Sequence, residues 1–275
     1  MINVGFIGAG NMGYAIMKGM CAGALTDACS IYASPSHIRL FAADADTSKY
    51  QRLTELGVTV CATPQELVQQ CKYVFLSVKP QNLEELLPQI KDSLTADTVI
   101  VSICAGISGD YIKTRTSPAT KVVLVMPNTP LLLGEGASAL AKVAPTTDEE
   151  FTFVREIFAA CGTAEEIAPD KMKEIIAVNG SSPAFIYLFA KAFVDYAVSA
   201  GIDAQTAKKL FAKTLTGSAK MLTDSGNTID ELIAMVSSKG GTTIAGLDAL
   251  RAGGFEQTIE SACKACTNRA YELAQ

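Results

Sequence analysis

The chain has 275 residues, of which 49% are hydrophobic and 19% charged, enough for one large domain or two ordinary ones. This composition is typical of a packed globular protein and excludes a largely disordered chain. The formal net charge of −5 and the lack of a Lys/Arg-rich block in the sequence argue against nucleic-acid binding. An anionic ligand must therefore be held by local geometry.

The first half of the chain alternates strand-like and helix-like segments. Short apolar runs predict strands at 2–7, 38–43, 58–61, 73–78, 98–103 and 122–126. Helical patterns follow them at 12–23, 49–56, 63–71, 83–93 and 109–114. Because such alternation is typical of a parallel sheet with helices on both faces, we predict an α/β doubly wound domain over residues 1–165.

A glycine motif joins the first strand to the first helix. The motif reads Gly8-Ala9-Gly10-Asn11-Met12-Gly13. The first glycine permits a tight turn, the second lets backbone approach a pyrophosphate, and the third lets helix and strand pack closely. Free N–H groups at the helix start can then hold phosphate oxygens, so we predict that this motif binds the dinucleotide in a Rossmann-type domain. The alternative is a purely structural glycine turn.

An acidic residue is expected after the second strand, where it would bind a ribose hydroxyl and repel a 2′-phosphate. Asp44 or Asp46 fills this place, although it lies farther along the chain than usual. This favours NADH, but Arg39, Lys49 and Arg52 are close enough in sequence to leave NADPH open. Asp44 is equally compatible with an ordinary turn aspartate.

Small residues, glycine or proline follow the next strand ends, in SVKPQ (77–81), SICAGIS (102–108) and MPNTP (126–130). Ligands of open parallel sheets bind outside the carboxyl ends of the strands. We therefore predict that these segments complete the cofactor site, although each is also compatible with an ordinary loop. The residues concerned are Ser77, Val78, Lys79, Pro80, Ala105, Gly106, Pro127 and Asn128.

The chain after about residue 165 is predicted to be all helical. The helical patterns lie at 172–179, 183–200, 204–224, 228–236, 243–253 and 255–273. Within the second of them, Phe185, Leu188, Phe189, Phe193 and Tyr196 form an apolar stripe that predicts a core or a subunit interface. We expect a helical domain at 166–275 that makes the protein at least a dimer, since its long apolar helices would otherwise be exposed.

Hydroxyl and glycine residues gather before one late helix, in SSKGGTT (237–243). Gly240 and Gly241 let backbone N–H groups converge, and Ser238, Thr242 and Thr243 add hydroxyl donors at the positive end of a helix. On these residues alone, two interpretations are equally compatible. One is an anion-binding site, and the other is an ordinary helix capped by Thr242 or Thr243.

Taken together, these segments resemble the Δ1-pyrroline-5-carboxylate reductase family along nearly the whole chain. The resemblance rests on GFIGAGNMG, SVKPQ, SICAGIS, MPNTP, NGSSPAF (179–185), TGSAKML (216–222) and, most specifically, SSKGGTTIAGLDAL (237–250). One departure is Lys239, which stands where the family usually has proline. It loosens the turn and adds a charge beside the expected substrate site.

The resemblance implies an NAD(P)H-dependent oxidoreductase of proline biosynthesis, which reduces the C=N bond of 1-pyrroline-5-carboxylate to give L-proline. It implies that SSKGGTT binds the substrate carboxylate and that Thr243 hydrogen-bonds the ring nitrogen and relays a proton. It also implies a substrate site between the sheet and a helical domain, and a homodimer or a larger assembly of dimers.

Two other functions stay open on the sequence. A β-hydroxyacid dehydrogenase would use a lysine early in the helical domain, but Lys171, Lys173 and Lys191 lack a convincing Lys-x-x-Asn context. A 2-hydroxy-acid dehydrogenase is not one of the two, because it would need a histidine base, whereas His37, the one histidine, is expected on the surface. The remaining alternative is an NAD(P)-binding sensor without catalysis.

The sequence also predicts a cytoplasmic protein with no membrane partner. It shows no signal peptide, and its most apolar stretch, 183–201, carries Lys191 and Asp195, which is typical of a buried helix. The eight cysteines are then reduced thiols. Cys263 and Cys266 have the CxxC spacing, but no second pair lies nearby, so we expect no metal site.

Overall fold

The structure is a computed structural model that describes residues 1–21 and 38–273. The predicted loop at 22–36 and His37 lie outside the described residues. One eight-stranded sheet has the order β3-β2-β1-β4-β5-β6-β7-β8. Its strands are β1 (Ile2–Ile7), β2 (Ile38–Ala43), β3 (Thr59–Val60), β4 (Tyr73–Leu76), β5 (Val99–Ser102), β6 (Lys121–Met126), β7 (Gly136–Val143) and β8 (Gly162–Glu166).

Helices cover both faces of this sheet, as the doubly wound prediction requires. They are α1 (Asn11–Cys21), α2 (Tyr50–Glu55), α3 (Pro64–Gln70), α4 (Leu83–Ile90), α5 (Gly109–Arg115) and α6 (Asp148–Ala159). One hydrophobic cluster joins α1, α2 and α6 to the sheet, and a second joins α3, α4 and α5 to its other face. In the first cluster the rings of Phe6 and Phe75 stack with centroids 4.4 Å apart.

The end of the sheet differs from the all-parallel arrangement predicted. Strands β1 to β6 pair in parallel, but β7 runs antiparallel to β6, and β8 pairs in parallel with β7. Neither β7 nor β8 was predicted, and neither was α6. Strand β7 is rich in alanine and β8 carries two glutamates, so neither contains the β-branched apolar run that marks a buried strand.

Internal contacts divide the chain into two compact units. We call Met1–Ser181 with Ala265–Gln275 the sheet unit, and Ser182–Lys264 the helical unit. The predicted boundary at residue 165 thus lies earlier than the end of the first unit, because residues 166–181 pack with the sheet. The Asn179 side-chain amide donates to the carbonyls of Met126 at 2.7 Å and Ala137 at 3.1 Å, which ties this segment to β6 and β7.

The predicted helix at 172–179 is confirmed only in its second half, and there as a π-helix rather than an α-helix. A single turn of 3₁₀-helix covers Pro169–Lys171 and a π-helical turn covers Ile176–Gly180. The reason is tertiary, because Asn179 lies buried with its amide directed at the sheet rather than on a regular helix face.

The helical unit contains α7 (Ser182–Ser199), α8 (Ala204–Asp224), α9 (Ile229–Met235), α10 (Thr242–Ala252) and the first part of α11 (Phe255–Leu273). The apolar stripe of α7 is only partly covered. Phe193 stacks on Phe211 of α8 with centroids 4.3 Å apart. By contrast, Leu188 is 69% exposed and Tyr196 is 72% exposed. None of the described helices is long and apolar enough to cross a membrane.

Candidate cofactor and substrate sites

The glycine turn between β1 and α1 has the geometry that its motif predicts. Gly8 adopts a φ of +97°, which L side chains rarely adopt. A Cβ on Gly13 would lie 2.7 Å from the Gly8 carbonyl oxygen, so this glycine is needed for close packing. A Cβ on Gly10 would meet nothing within 4 Å, so this position faces open space. The turn is therefore tightly packed at Gly8 and Gly13 and open at Gly10, as a phosphate-binding turn must be.

A cavity of about 640 Å³ lies over this turn, at the carboxyl ends of β1 to β4. This volume suits a dinucleotide better than a metal ion or a small acid. Of the predicted cofactor residues, the cavity is lined by Gly8, Gly10, Asp44, Ser77, Val78 and Lys79. The cavity is also lined by residues that were not predicted from the sequence, among them Ala62, Pro64, Asn82 and Gln89. Ala62, Pro64 and Asn82 follow the ends of β3 and β4, so their position after a strand could have indicated them, whereas Gln89 lies within α4 and has no such signal.

Hydrogen bonds fix the walls of this cavity. The Ser77 hydroxyl donates to the carbonyls of Ile7 at 3.1 Å and Gly8 at 2.5 Å. The Cys104 thiol donates to the carbonyls of Leu76 at 3.4 Å and Val78 at 3.2 Å. The segment after β4 is thus held from both sides. Burial raises the pKa of the Cys104 thiol to about 12, so this thiol stays protonated and serves structure.

Asp44 is tied to the glycine turn. One carboxylate oxygen accepts from the Ala9 N–H at 2.6 Å, and the other accepts from the Asp46 N–H at 2.8 Å. The Lys49 ammonium lies 2.9 Å from one oxygen and 3.0 Å from the other. Burial opposes ionisation of Asp44, but these donors outweigh it and hold the pKa of the carboxyl below its ordinary value. Asp44 is therefore a charged part of the cavity wall.

The other predicted cofactor residues lie outside the lining of this cavity. Asn11, Met12 and Gly13 begin α1. Gly106, with a φ of +80°, lies so close to α11 that a Cβ would be 2.7 Å from the Ala270 carbonyl oxygen. The buried Asn128 accepts from the Ala137 N–H at 2.9 Å, which ties β6 to β7. Pro80, Ala105 and Pro127 are not in the lining either, so a cofactor role for these residues stays a prediction.

The SSKGGTT segment forms a tight turn that leads into α10. The Gly241 N–H donates to the Ser238 carbonyl at 2.9 Å, and Gly240 between them has a φ of +74°. This is the pattern of a type II turn, with Lys239 at the position where proline is common. Lys239 therefore leaves the hydrogen-bonded turn intact.

Helix α10 begins at Thr242, and Gly241 occupies its N-cap position. Because glycine has no side chain, no side-chain cap satisfies the first N–H groups of this helix. The alternative interpretation, an ordinary helix capped by Thr242 or Thr243, is wrong, since both threonines lie inside the first turn. Within this chain both threonines are exposed, so their hydroxyls and the helix N–H groups are accessible to an anion.

Comparison with known proteins finds a family model for each half of the chain and relatives that match its full length. The family model "Pyrroline-5-carboxylate reductase dimerisation" matches residues 169–273, and "NADP oxidoreductase coenzyme F420-dependent" matches residues 3–106. Pyrroline-5-carboxylate reductase 3 of Danio rerio is 35% identical over 99% of this chain and 91% of its own length. The Escherichia coli pyrroline-5-carboxylate reductase is 34% identical over 99% of this chain and 98% of its own.

The chain belongs to the pyrroline-5-carboxylate reductase family. Solved structures of reductases from this family agree with the assignment. The Plasmodium falciparum pyrroline carboxylate reductase, solved with NADP bound, matches with a TM-score of 0.85 at 28% identity and covers 100% of this chain and 98% of its own. The Streptococcus pyogenes 1-pyrroline-5-carboxylate reductase gives a TM-score of 0.87 at 28% identity, with 98% of each chain covered. The fold and family predicted from the sequence are thus confirmed.

Proposed function

We propose that this chain reduces 1-pyrroline-5-carboxylate to L-proline with NADH or NADPH. The observation that carries the proposal is an open glycine turn under a cavity of about 640 Å³ in a chain that matches reductases of this family over 99% of its length. Membership of this family favours the imine reductase over a β-hydroxyacid dehydrogenase. In this proposal, residues 1–165 bind the cofactor, and residues 166–275 bind the substrate and form the dimer.

The residues of the sheet unit fit a nicotinamide dinucleotide. Gly8 and Gly10 would hold the diphosphate, since one supplies the left-handed turn and the other leaves space for close approach. Asp44 would lie at the adenosine ribose, and the segment Ser77–Lys79 would line the path from the glycine turn along the strand ends. When bound, the reduced cofactor supplies the hydride for the C=N carbon.

The start of α10 is the proposed site for the substrate carboxylate. The N–H groups of its first turn, the hydroxyls of Ser238, Thr242 and Thr243, and the turn at Gly240 and Gly241 provide donors at the positive end of a helix. A carboxylate bound here needs no lysine or arginine partner. A fixed carboxylate would restrict the orientation of the ring, which is what a near-attack geometry requires.

Thr243 is the proposed catalytic residue of this segment. An iminium accepts hydride more readily than a neutral imine, so the ring nitrogen must carry a proton when the carbon is reduced. A threonine hydroxyl is too weak an acid to ionise at neutral pH, but it can orient the nitrogen and relay a proton from water. Thr243 lies in the first turn of α10, next to the proposed carboxylate donors.

Three variants test this role of Thr243. We expect Thr243→Ala to lower kcat on the order of a hundredfold, the low end of what a positioned proton donor contributes, while leaving cofactor affinity unchanged. Thr243→Ser should restore most of the rate because it keeps the hydroxyl. Thr258→Ala is the matched control, since Thr258 only donates to the Gly254 carbonyl at 2.9 Å on α11. Unchanged kinetics of Thr243→Ala would rule the role out.

The activity itself is tested by the loss of NADH or NADPH absorbance on adding 1-pyrroline-5-carboxylate, with 3-hydroxyisobutyrate and the oxidised cofactor as the comparison reaction. We expect turnover with the imine and none with the hydroxy acid. Turnover only with the hydroxy acid would favour a β-hydroxyacid dehydrogenase. Cofactor binding without any turnover would favour a sensor.

The proposed assembly is a homodimer or a larger homo-oligomer formed through the helical unit. The supporting observations are the exposed Leu188 and Tyr196 of α7 and the dimerisation family model that spans this unit. We also propose a cytoplasmic location, where thiols such as Cys263 and Cys266 stay reduced.

A further inference from the structure

The carboxylate of Asp44 is fixed before any ligand arrives. The Tyr50 hydroxyl donates to the Asp44 backbone carbonyl at 2.9 Å, while the Ala9 and Asp46 N–H groups bind the two carboxylate oxygens. The side chain is only 9% exposed. Because its backbone and both oxygens are held, Asp44 cannot swing away from the cavity without breaking several hydrogen bonds.

Lys49 compensates the charge of Asp44 only in part. Its ammonium contacts both oxygens of Asp44 and also lies 3.8 Å from the Asp46 carboxylate. Asp44, Asp46 and Lys49 together carry one net negative charge, and the nearby Arg52 guanidinium is directed at the Ala9 carbonyl rather than at either carboxylate. A carboxylate has about four acceptor positions. Two of those on Asp44 are occupied by the backbone N–H groups, and Lys49 occupies the other two, one on each oxygen.

Two other cations, Arg52 and Lys79, lie near the cavity, but neither is hydrogen-bonded to Asp44. The Arg52 guanidinium donates to the Ala9 carbonyl at 2.5 Å and lies over the Tyr14 ring, 4.6 Å from its centroid. Lys79 lines the cavity but follows β4, which is on the opposite side of β1 from β2. Among the described residues that line the cavity, Lys49 is thus the one cation on the β2 side.

We propose that Asp44 makes this reductase select NADH over NADPH. A 2′-phosphate would bring a second anion against a carboxylate that is held in place, and Lys49 is already paired with that carboxylate. A ribose hydroxyl is neutral and can donate to Asp44 in exchange for one contact with Lys49. The inference deepens the proposed function, on which it rests, and it contrasts with the Plasmodium falciparum relative, which was solved with NADP bound.

Nucleotide binding tests the inference without any turnover. Isothermal titration of the full-length protein compares adenosine 5′-monophosphate with adenosine 2′,5′-bisphosphate. We expect the wild type to bind the monophosphate about tenfold more tightly or better, since one unit of charge repulsion at close range in a partly buried site reaches this size. Asp44→Asn keeps an acceptor for the Ala9 N–H and should remove most of that preference.

Two further variants test whether the nucleotide preference depends on the position of the Asp44 carboxylate or only on the total charge of the loop. Asp46→Asn removes the same charge from the same loop, but Asp46 does not line the cavity, so the preference should change less than about threefold. Lys49→Met leaves Asp44 uncompensated and should increase the preference for the monophosphate. Steady-state kcat/KM with NADH and NADPH should follow the same order across the variants.

The outcomes also distinguish this inference from the proposed function. Equal or tighter binding of the bisphosphate by the wild type would overturn it, and so would equal shifts in Asp44→Asn and Asp46→Asn. If neither nucleotide binds, the cofactor site itself is wrong, and both proposals fail. Selective nucleotide binding without reduction of the imine would overturn only the proposed activity and would support the selectivity of Asp44.

Discussion

The sheet unit and the helical unit treat their large apolar side chains in opposite ways. Phe6, Phe75 and Phe158 are fully buried in the sheet unit, within a cluster that this single chain completes. In the helical unit, Leu188, Tyr196 and other large apolar residues of long helices remain exposed. The first unit therefore buries its large apolar side chains within one chain, whereas the second leaves a large apolar area exposed, which is the basis of the proposed homo-oligomer.

Truncation of the sheet core should give the largest effect. Phe75 is fully buried and stacks on Phe6, so Phe75→Ala should lower the free energy of unfolding by about 3–5 kcal/mol. The chain has no tryptophan, so urea unfolding is best followed by circular dichroism. Leu133→Ala is the control in the same unit, because Leu133 is 84% exposed and should change stability little. Similar losses in both variants would contradict the described core.

Charge on the exposed face of α7 should affect association rather than folding. Leu188→Lys with Tyr196→Lys should weaken the proposed dimer about a hundredfold or more, because desolvating two ammonium groups in an apolar interface is costly. Light scattering after size exclusion should show the mass falling to that of the 28.9 kDa chain, while the helical circular dichroism persists. A mass that stays unchanged would place the interface elsewhere.

Elements that are marked by local composition could be predicted from the sequence, whereas elements that depend on distant partners could not. Strands β1, β2, β4, β5 and β6 are apolar runs whose residues are buried on both faces, so local composition identifies them. Strands β7 and β8 depend on pairing at the end of the sheet, and no local pattern marks them. The bounds of α8 and α11 agree with the prediction, because helical periodicity is a local property that does not need a partner.

In the candidate sites, too, local motifs could be predicted from the sequence, but contacts between distant residues could not. The spacing of Gly8, Gly10 and Gly13 is sufficient to predict a phosphate-binding turn. The bonds from Ala9 and Lys49 to Asp44 join residues up to 35 positions apart, so only the folded chain shows that the carboxylate is fully engaged. Similarly, the sequence identifies Lys239 as a departure from the usual proline, but only the φ of Gly240 and the bond from the Gly241 N–H to Ser238 show that the turn closes with lysine there.

A buried ion pair of the sheet unit should give an intermediate effect that depends on pH. Lys121 lies 2.6 Å from the buried Glu150, which also accepts from the Thr147 N–H. Glu150→Gln keeps the helix cap but leaves Lys121 without its charged partner, which should cost about 2 kcal/mol at pH 7. On the exposed surface of α7, Asp195→Asn next to Lys191 should cost much less, since exposed i,i+4 pairs contribute about 0.3–0.5 kcal/mol.

The pH dependence identifies the carboxylate as the cause. Burial opposes ionisation of Glu150, but Lys121 and Thr147 outweigh it and lower the pKa of the carboxyl. Its contribution is therefore complete above the ordinary glutamate pKa and is lost as the pH falls through the folded-state value. The difference in unfolding free energy between the wild type and Glu150→Gln should be constant at neutral pH and should shrink in acid. A difference that persists in acid would mean that packing, rather than charge, is responsible.

The smallest effect is expected at the turn before α10, and it should be stabilising. Lys239 precedes a left-handed glycine in a turn closed by the Gly241 N–H, and proline suits that position without removing a hydrogen bond of the turn. Lys239→Pro should therefore raise the unfolding free energy of the helical unit by about 0.4–1 kcal/mol, because it restricts the unfolded chain. Lys239→Ala removes the ammonium without restricting the backbone. If KM for the imine changes equally in both variants, the charge of Lys239 acts on the substrate. If only the proline variant changes KM, the rigidity of the turn is the cause. Substrate affinity in the helical unit would then depend on the backbone freedom of a single turn residue, whereas the glycine turn of the sheet unit is fixed by close packing.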